Sequence, residues 1–160
     1  MSEVIPLMFS FTDLIEGRGF IARVRTDGRA LAELDEDTWW INGVNPGGVC
    51  APGETPNEAL QAFRIAVHEV LLDCAVRCKT FDDFRVDVEL IFNSTCKDQI
   101  NLWKDAALAL RAGASAGPLE DLGLDRLPSD SRQYAVTVQH VAIDCTAPVT
   151  DGPPLFAQAA

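Results

Sequence analysis

Gly53-Glu54-Thr55-Pro56-Asn57-Glu58-Ala59-Leu60 combines a turn, a helix cap and the start of an apolar stripe. Thr55 carries the side chain of a helix N-cap. Pro56 stands at the first helical position, where its missing N–H and fixed φ do no harm, and Glu58 falls where a capping box places its acid. A helix therefore starts here. Counting about 100° per residue from Leu60 puts Phe63, Val67, Leu71, Cys74 and Cys78 in one stripe, with Gln61, Arg64, His68 and Glu69 elsewhere. One face of this helix packs on something.

The elements before the helix read as strands. Asp27-Gly28 separates Phe20-Ile21-Ala22-Arg23-Val24-Arg25 from Arg29-Ala30-Leu31-Ala32-Glu33-Leu34, the pattern of a type I′ hairpin turn. The acidic turn Asp35-Glu36-Asp37 then leads into Thr38-Trp39-Trp40-Ile41-Asn42, rich in aromatic and β-branched residues. The order predicted is a three-stranded meander followed by a helix. Trp39 and Trp40 are adjacent on their strand, so their rings face opposite sides. Either one is core and the other open to a partner, or both are covered by the helices.

The runs Glu33 to Ile41 and Gly48-Val49-Cys50-Ala51-Pro52-Gly53 to Leu60 resemble the HicB-type antitoxin domain over roughly residues 19 to 78. In that family an aromatic strand leads to a Pro-Gly-Cys element, then Gly-Asp-Thr, then a helix opening Glu-Ala-Leu. The resemblance implies a non-catalytic module that inhibits a small basic RNA-cleaving toxin by direct binding. Its contacts here would be Asp35, Glu36, Asp37, Trp39 and Trp40, with Thr55 and Glu58 as the helix cap. The ribbon-helix-helix or helix-turn-helix segment that such antitoxins commonly add has no counterpart after Lys79, where paired short helices and basic residues are lacking.

Composition agrees with a protein partner. Thirteen Lys and Arg stand against 24 Asp and Glu in 160 residues, a formal charge of −11. The average surface would repel nucleic-acid phosphates and favour a basic partner, while acidity also serves solubility. The five cysteines are an odd number with no Cys-x-x-Cys pair, which suits a reduced compartment. Cys74 and Cys78 are four apart, but a full metal site needs about four ligands, so both are expected as buried thiols and no metal or cofactor is expected. The short apolar run Val4 to Phe11, broken by Pro6, reads as neither signal peptide nor membrane span, and a cytoplasmic protein is expected.

In the second half, Phe84, Val86, Val88, Leu90 and Phe92 alternate, which predicts a strand from 84 to 92. A helix is predicted from about Cys96 to Arg111, capped by Ser94 or Thr95, ending near Gly113, with Ile100, Trp103, Ala107 and Leu110 on one side. Residues 112 to 132 read as a long loop, Gln133 to Ile143 as a strand covered on both sides, and the Pro- and Ala-rich end as a frayed tail. Asp98-Gln99-Ile100-Asn101-Leu102-Trp103-Lys104, with a strand before it and Asp130 before the last strand, is similar to the helix of RusA-type Holliday-junction resolvases over roughly residues 84 to 143. That resemblance implies Mg²⁺-dependent phosphodiester hydrolysis through Asp98 and Asp130. Ile100 replaces the second acid of the motif, so the resemblance is also open to a related fold with lost chemistry, and the residues themselves to an ordinary amphipathic helix. No His-based nucleophile pair is suggested by the spacing of His68 and His140.

The fold expected is α+β: a small, mainly antiparallel sheet with the order meander, helix, strand, helix, strand, and both helices on one face. Residues 1–80 form the HicB-like unit, 81–145 an extension of the same domain, and 146–160 the tail. Binding of a small basic protein is the expected function, with homodimerisation through a sheet edge and neither nucleic-acid nor membrane binding; the alternative is the RusA-like nuclease or a degenerate relative.

Overall fold

The computed structural model describes residues 4–113 and 135–141. Strands β1 (Val4–Gly17), β2 (Phe20–Asp35), β3 (Thr38–Asn45) and β4 (Gly47–Gly53) form an antiparallel meander. Helices α1 (Pro56–Arg77), α2 (Phe81–Phe92) and α3 (Lys97–Arg111) follow, and β5 (Ala135–His140) returns to pair with β2. The fold is α+β. The meander differs from the one expected: Asp27-Gly28 is not a turn but lies inside the 16-residue β2, and the missing strand is the apolar N-terminal run. The turn that makes the hairpin is Arg18-Gly19, with Gly17 opposite Phe20 and Gly19 at φ 75°. Glycine adopts this left-handed conformation without the steric cost that a Cβ imposes.

The length of β2 is explained by its neighbours. One side pairs with β1 from Phe20 to Glu33, while the other pairs with β5 from Ala22 to Asp27 and with β3 from Arg29 to Asp35. Gly28 sits at the junction. A Cβ there would overlap the Asn45 carbonyl oxygen and the Phe9 ring, so a backbone approach too close for any side chain outweighs the local turn signal.

The alternation of β2 divides the core. Ala22, Val24, Ala30 and Ala32 join a cluster with Phe63, Val67, Leu71 and Cys74 of α1 and Phe84, Val88 and Phe92 of α2. Leu31, facing the other way, joins Val44 with Trp103 and Ala107 of α3. So α1 and α2 cover one face and α3 part of the opposite face, which corrects the placement of the Thr55–Cys78 and Cys96–Arg111 helices together. Trp103 fixes α3 to the sheet: its Nε1 donates to the Leu7 carbonyl at 3.0 Å, and the Arg29 guanidinium lies 5.1 Å from its ring centroid.

Helix α2 replaces the strand expected at 84–92. Thr80 caps it by accepting from the Asp83 N–H at 3.2 Å. Helical pitch buries Phe84, Val88 and Phe92 but leaves Val86 at 59% and Leu90 at 72% exposure, so two of the five alternating residues are not core. Cys96, not Ser94 or Thr95, is the N-cap of α3 and makes no side-chain cap bond. The final strand forms, but Thr137 and Gln139 are exposed, so it is not covered on both sides. The 112–132 loop beyond Gly113 and the 146–160 tail lie outside the described residues. Among the described residues no helix is long and apolar enough to cross a membrane.

The decisive stretch behaves as read. Thr55 Oγ1 accepts from the Glu58 N–H at 3.2 Å, and Glu58 Oε2 accepts from the Glu54 N–H at 3.0 Å, one residue earlier than in the standard box. Gly53 passes against the first turn of α1, where a Cβ would overlap the Ala59 amide and lie 2.8 Å from the Ala59 Cα. Replacing it by alanine should therefore push strand from helix and cost about 2 kcal/mol, as overpacking does; urea unfolding of Gly53→Ala measures the loss, and Thr55→Ala should lose about 1 kcal/mol.

Candidate functional site

The acidic turn becomes the tip of the β2–β3 hairpin. Asp35 pairs with Thr38 across it, leaving Glu36 and Asp37 as the two turn residues, and Glu36 takes a φ of 53°. Asp35, Glu36 and Asp37 are all exposed, so three carboxylates project into water within one turn. Such a tip repels itself and attracts cations or cationic side chains.

Behind the tip the two tryptophans alternate as expected. Trp39 stands opposite Leu34 and packs against the α1-side cluster, while Leu34 remains 41% exposed. Trp40 stands between Glu33 and Pro52 on the other face. Both rings are half-buried. The strand pairing thus brings Asp35, Glu36, Asp37, Trp39 and Trp40 into one continuous arm, apolar on each face and acidic at its end. Rings anchored on one side and open on the other lose little freedom when a partner covers them.

Asp98, by contrast, is exposed in the first turn of α3, and Asp130 lies outside the described residues. The strand expected before that helix is α2, so the strand–helix pair of the resolvase resemblance is not formed. Among the described residues no group of three or more His, Cys, Asp or Glu is placed to hold a metal ion.

A polar cluster that sequence spacing did not reveal joins β1 to α1. Asp13 is 6% exposed, and both its carboxylate oxygens accept from Arg64, at 2.8 and 2.9 Å. His68 Nδ1 lies 2.9 Å from Asp13 Oδ1, so the ring nitrogen facing the carboxylate carries the proton. Arg64 also donates to the Thr12 carbonyl at 3.3 Å and lies 4.5 Å from the Phe11 ring centroid. Arg64 and His68 are four apart on one helical face, the only part of this set visible in sequence. The cluster saturates its carboxylate and acts as a clamp. Asp13→Asn should cost about 3 kcal/mol by leaving the Arg64 charge without its carboxylate counter-charge, read as a lower denaturation midpoint.

The thiols at the end of α1 are buried, as expected. Burial, foremost, and Asp87 push the Cys74 thiol from its ordinary range up to about 11, against the lowering influence of Arg77, which donates to Sγ at 3.5 Å. Cys78 is also raised, again chiefly by burial. Raised thiols are poor nucleophiles. At pH 8 iodoacetamide should modify the exposed Cys50 and Cys96 well before Cys74. An unfolded Cys74 ionises near 9 while the folded one keeps its proton to about 11, so stability should fall as pH rises across that interval and the fall should shrink in Cys74→Ala.

Comparison with family models, with curated proteins and with solved structures finds no match to this chain.

Proposed function

We propose that the chain is a non-catalytic protein-binding module, of the kind the HicB resemblance implies, that blocks a small basic RNA-cleaving toxin. The single observation that carries the reading is the hairpin arm: exposed Asp35, Glu36 and Asp37 run directly into half-buried Trp39 and Trp40 and exposed Leu34. A cationic partner would be drawn in by the tip and the chain's −11 charge, and held by the rings. Long-range charge sets the rate of encounter and desolvated apolar contact sets the lifetime.

The division of labour gives the test. The protein is co-expressed with the product of the adjacent reading frame, and binding is followed by surface plasmon resonance at two salt concentrations. Asp35→Asn, Glu36→Gln and Asp37→Asn together should slow association about tenfold at low salt and leave dissociation nearly unchanged. Trp40→Ala should instead speed dissociation by about tenfold or more. A bound partner indifferent to both changes would place the interface elsewhere, and an adjacent frame encoding no small basic protein would remove the toxin from the proposal.

A further inference from the structure

The face of the sheet that α3 leaves uncovered has a composition opposite to that of the chain as a whole. Three rungs cross β1, β2 and β5 there: Leu14, Arg23 and Gln139; Thr12, Arg25 and Thr137; Ser10, Asp27 and Ala135. The alternation of β2 sends Arg23 and Arg25 to the side away from Ala22 and Val24, hence away from α1 and α2. Trp103 stands farther along that face, over Arg29, so α3 reaches the other half.

Every polar group beside the two arginines on the first two rungs is a neutral hydroxyl or amide. The one carboxylate on the rungs, Asp27, is engaged: Ser10 Oγ donates to its Oδ1 at 2.7 Å, and Arg25 Nε lies 3.3 Å from its Oδ2. That contact uses the inner nitrogen of Arg25 and leaves its terminal nitrogens for another acceptor. Arg23 is exposed and has no acidic partner among the described residues. Thr12, Arg23, Arg25, Thr137 and Gln139 line a concavity of about 230 Å³. In a protein of charge −11, two guanidinium groups two residues apart on one strand, about 7 Å along the backbone, with a single carboxylate, Asp27, paired to one of them, form a local cationic site.

The geometry points to this concavity as a binding site for a small phosphate ester or diphosphate, held by the Arg23 and Arg25 forks with Thr12, Thr137 and Gln139 as neutral donors. Three features select this class. Guanidinium forks match the paired oxygens of a phosphoryl group and make charge-assisted bonds to it. The space suits a ligand of a few tens of atoms at most, smaller than the usual drug-sized pocket. No aromatic ring stands on the three rungs, so the stacking that holds single-stranded nucleic acid is lacking, and the overall negative charge opposes a long polyanion far more than a compact one. The site is independent of the hairpin arm and stands whether or not that arm binds a toxin.

The experiment is an NMR titration of the full-length protein with pyrophosphate, inorganic phosphate and a short single-stranded oligonucleotide in low-salt buffer. Pyrophosphate should bind saturably, more tightly than phosphate, and shift the amides of Thr12, Arg23, Arg25, Thr137 and Gln139. Arg23→Gln with Arg25→Gln should weaken it about tenfold or more without lowering the melting temperature, because both side chains are exposed, whereas Arg85→Gln on α2 should leave it unchanged. If the double variant unfolds, Arg23→Gln alone, which breaks no ion pair among the described residues, carries the test. Absence of saturable pyrophosphate binding, or equal binding by the arginine variants, would overturn the assignment. Tighter binding of the oligonucleotide than of pyrophosphate would overturn it in favour of a nucleic-acid backbone.

Discussion

The constraint on which the structure depends is that one strand serves three neighbours. β2 is hydrogen-bonded to β1 along nearly its whole length and shares its other edge between β5 and β3. Two strands meeting end to end on one edge need a place where the backbone can come in close, and Gly28 provides it against Asn45. The β3 register shifts just beyond, between Arg29 and Ala30 of β2, as the ladder adjusts to its new partner. A side chain at residue 28 would force the β3–β4 hairpin outward. The hairpin arm and the arginine rungs therefore owe their positions, at opposite ends of β2, to this handover.

Charge is distributed along the same strand. Acid collects at the β3 end, in the tip from Asp35 to Asp37, and guanidinium groups collect at the β5 end, at Arg23 and Arg25. Between them Arg29 is 8% exposed and tied to Asn45 Oδ1 at 2.7 Å as well as to the Trp103 ring, so it belongs to the packing of α3. A net charge of −11 thus conceals a dipolar sheet. Local fields of this kind decide which ligand approaches which surface, whereas the sum governs solubility and long-range steering.

What could be read from the sequence was what local chemistry alone determines. Thr55, Pro56 and Glu58 specify a helix start whatever surrounds them, and the stripe from Phe63 to Cys74 is buried as the period requires. The tip from Asp35 to Asp37 was equally legible, as was the alternation of Trp39 and Trp40. Misreadings fall where a distant partner overrides a local preference. Asp27-Gly28 is a good turn in isolation, but β1 pairs straight through it and β5 pairs up to Asp27, and Arg18-Gly19 closes the hairpin instead. Within the alternating set Phe84, Val88 and Phe92 also stand at helical spacing, and the Thr80-to-Asp83 cap, a local signal present in the sequence, decides for helix. Asp13 meets Arg64 across 51 residues and His68 across 55, separations over which spacing carries no information. The arginine rungs are invisible for the same reason: Thr137 and Gln139 reach them only through the return of β5.

The position of β3 limits how the proposed partner could use the arm. β3 is flanked by β2 and β4, so its backbone donors and acceptors are already paired over most of its length. Strand addition beside the tryptophans is therefore closed, and the proposed recognition would have to proceed through side chains on the two faces and at the tip. Among the described residues the edges of the meander lie at β1 and β4, and on β1 Trp103 bonds to the Leu7 carbonyl and Arg64 to the Thr12 carbonyl. Face docking has a different energetic character from edge docking. Main-chain pairing gives affinity with little selectivity, whereas a Trp ring on each face of an acidic finger would select the proposed partner by shape and charge together. A cleft lined with basic side chains that closes on both faces of the finger would cover Trp39 and Trp40 at once, and covering only one face would leave half of the available apolar contact unused.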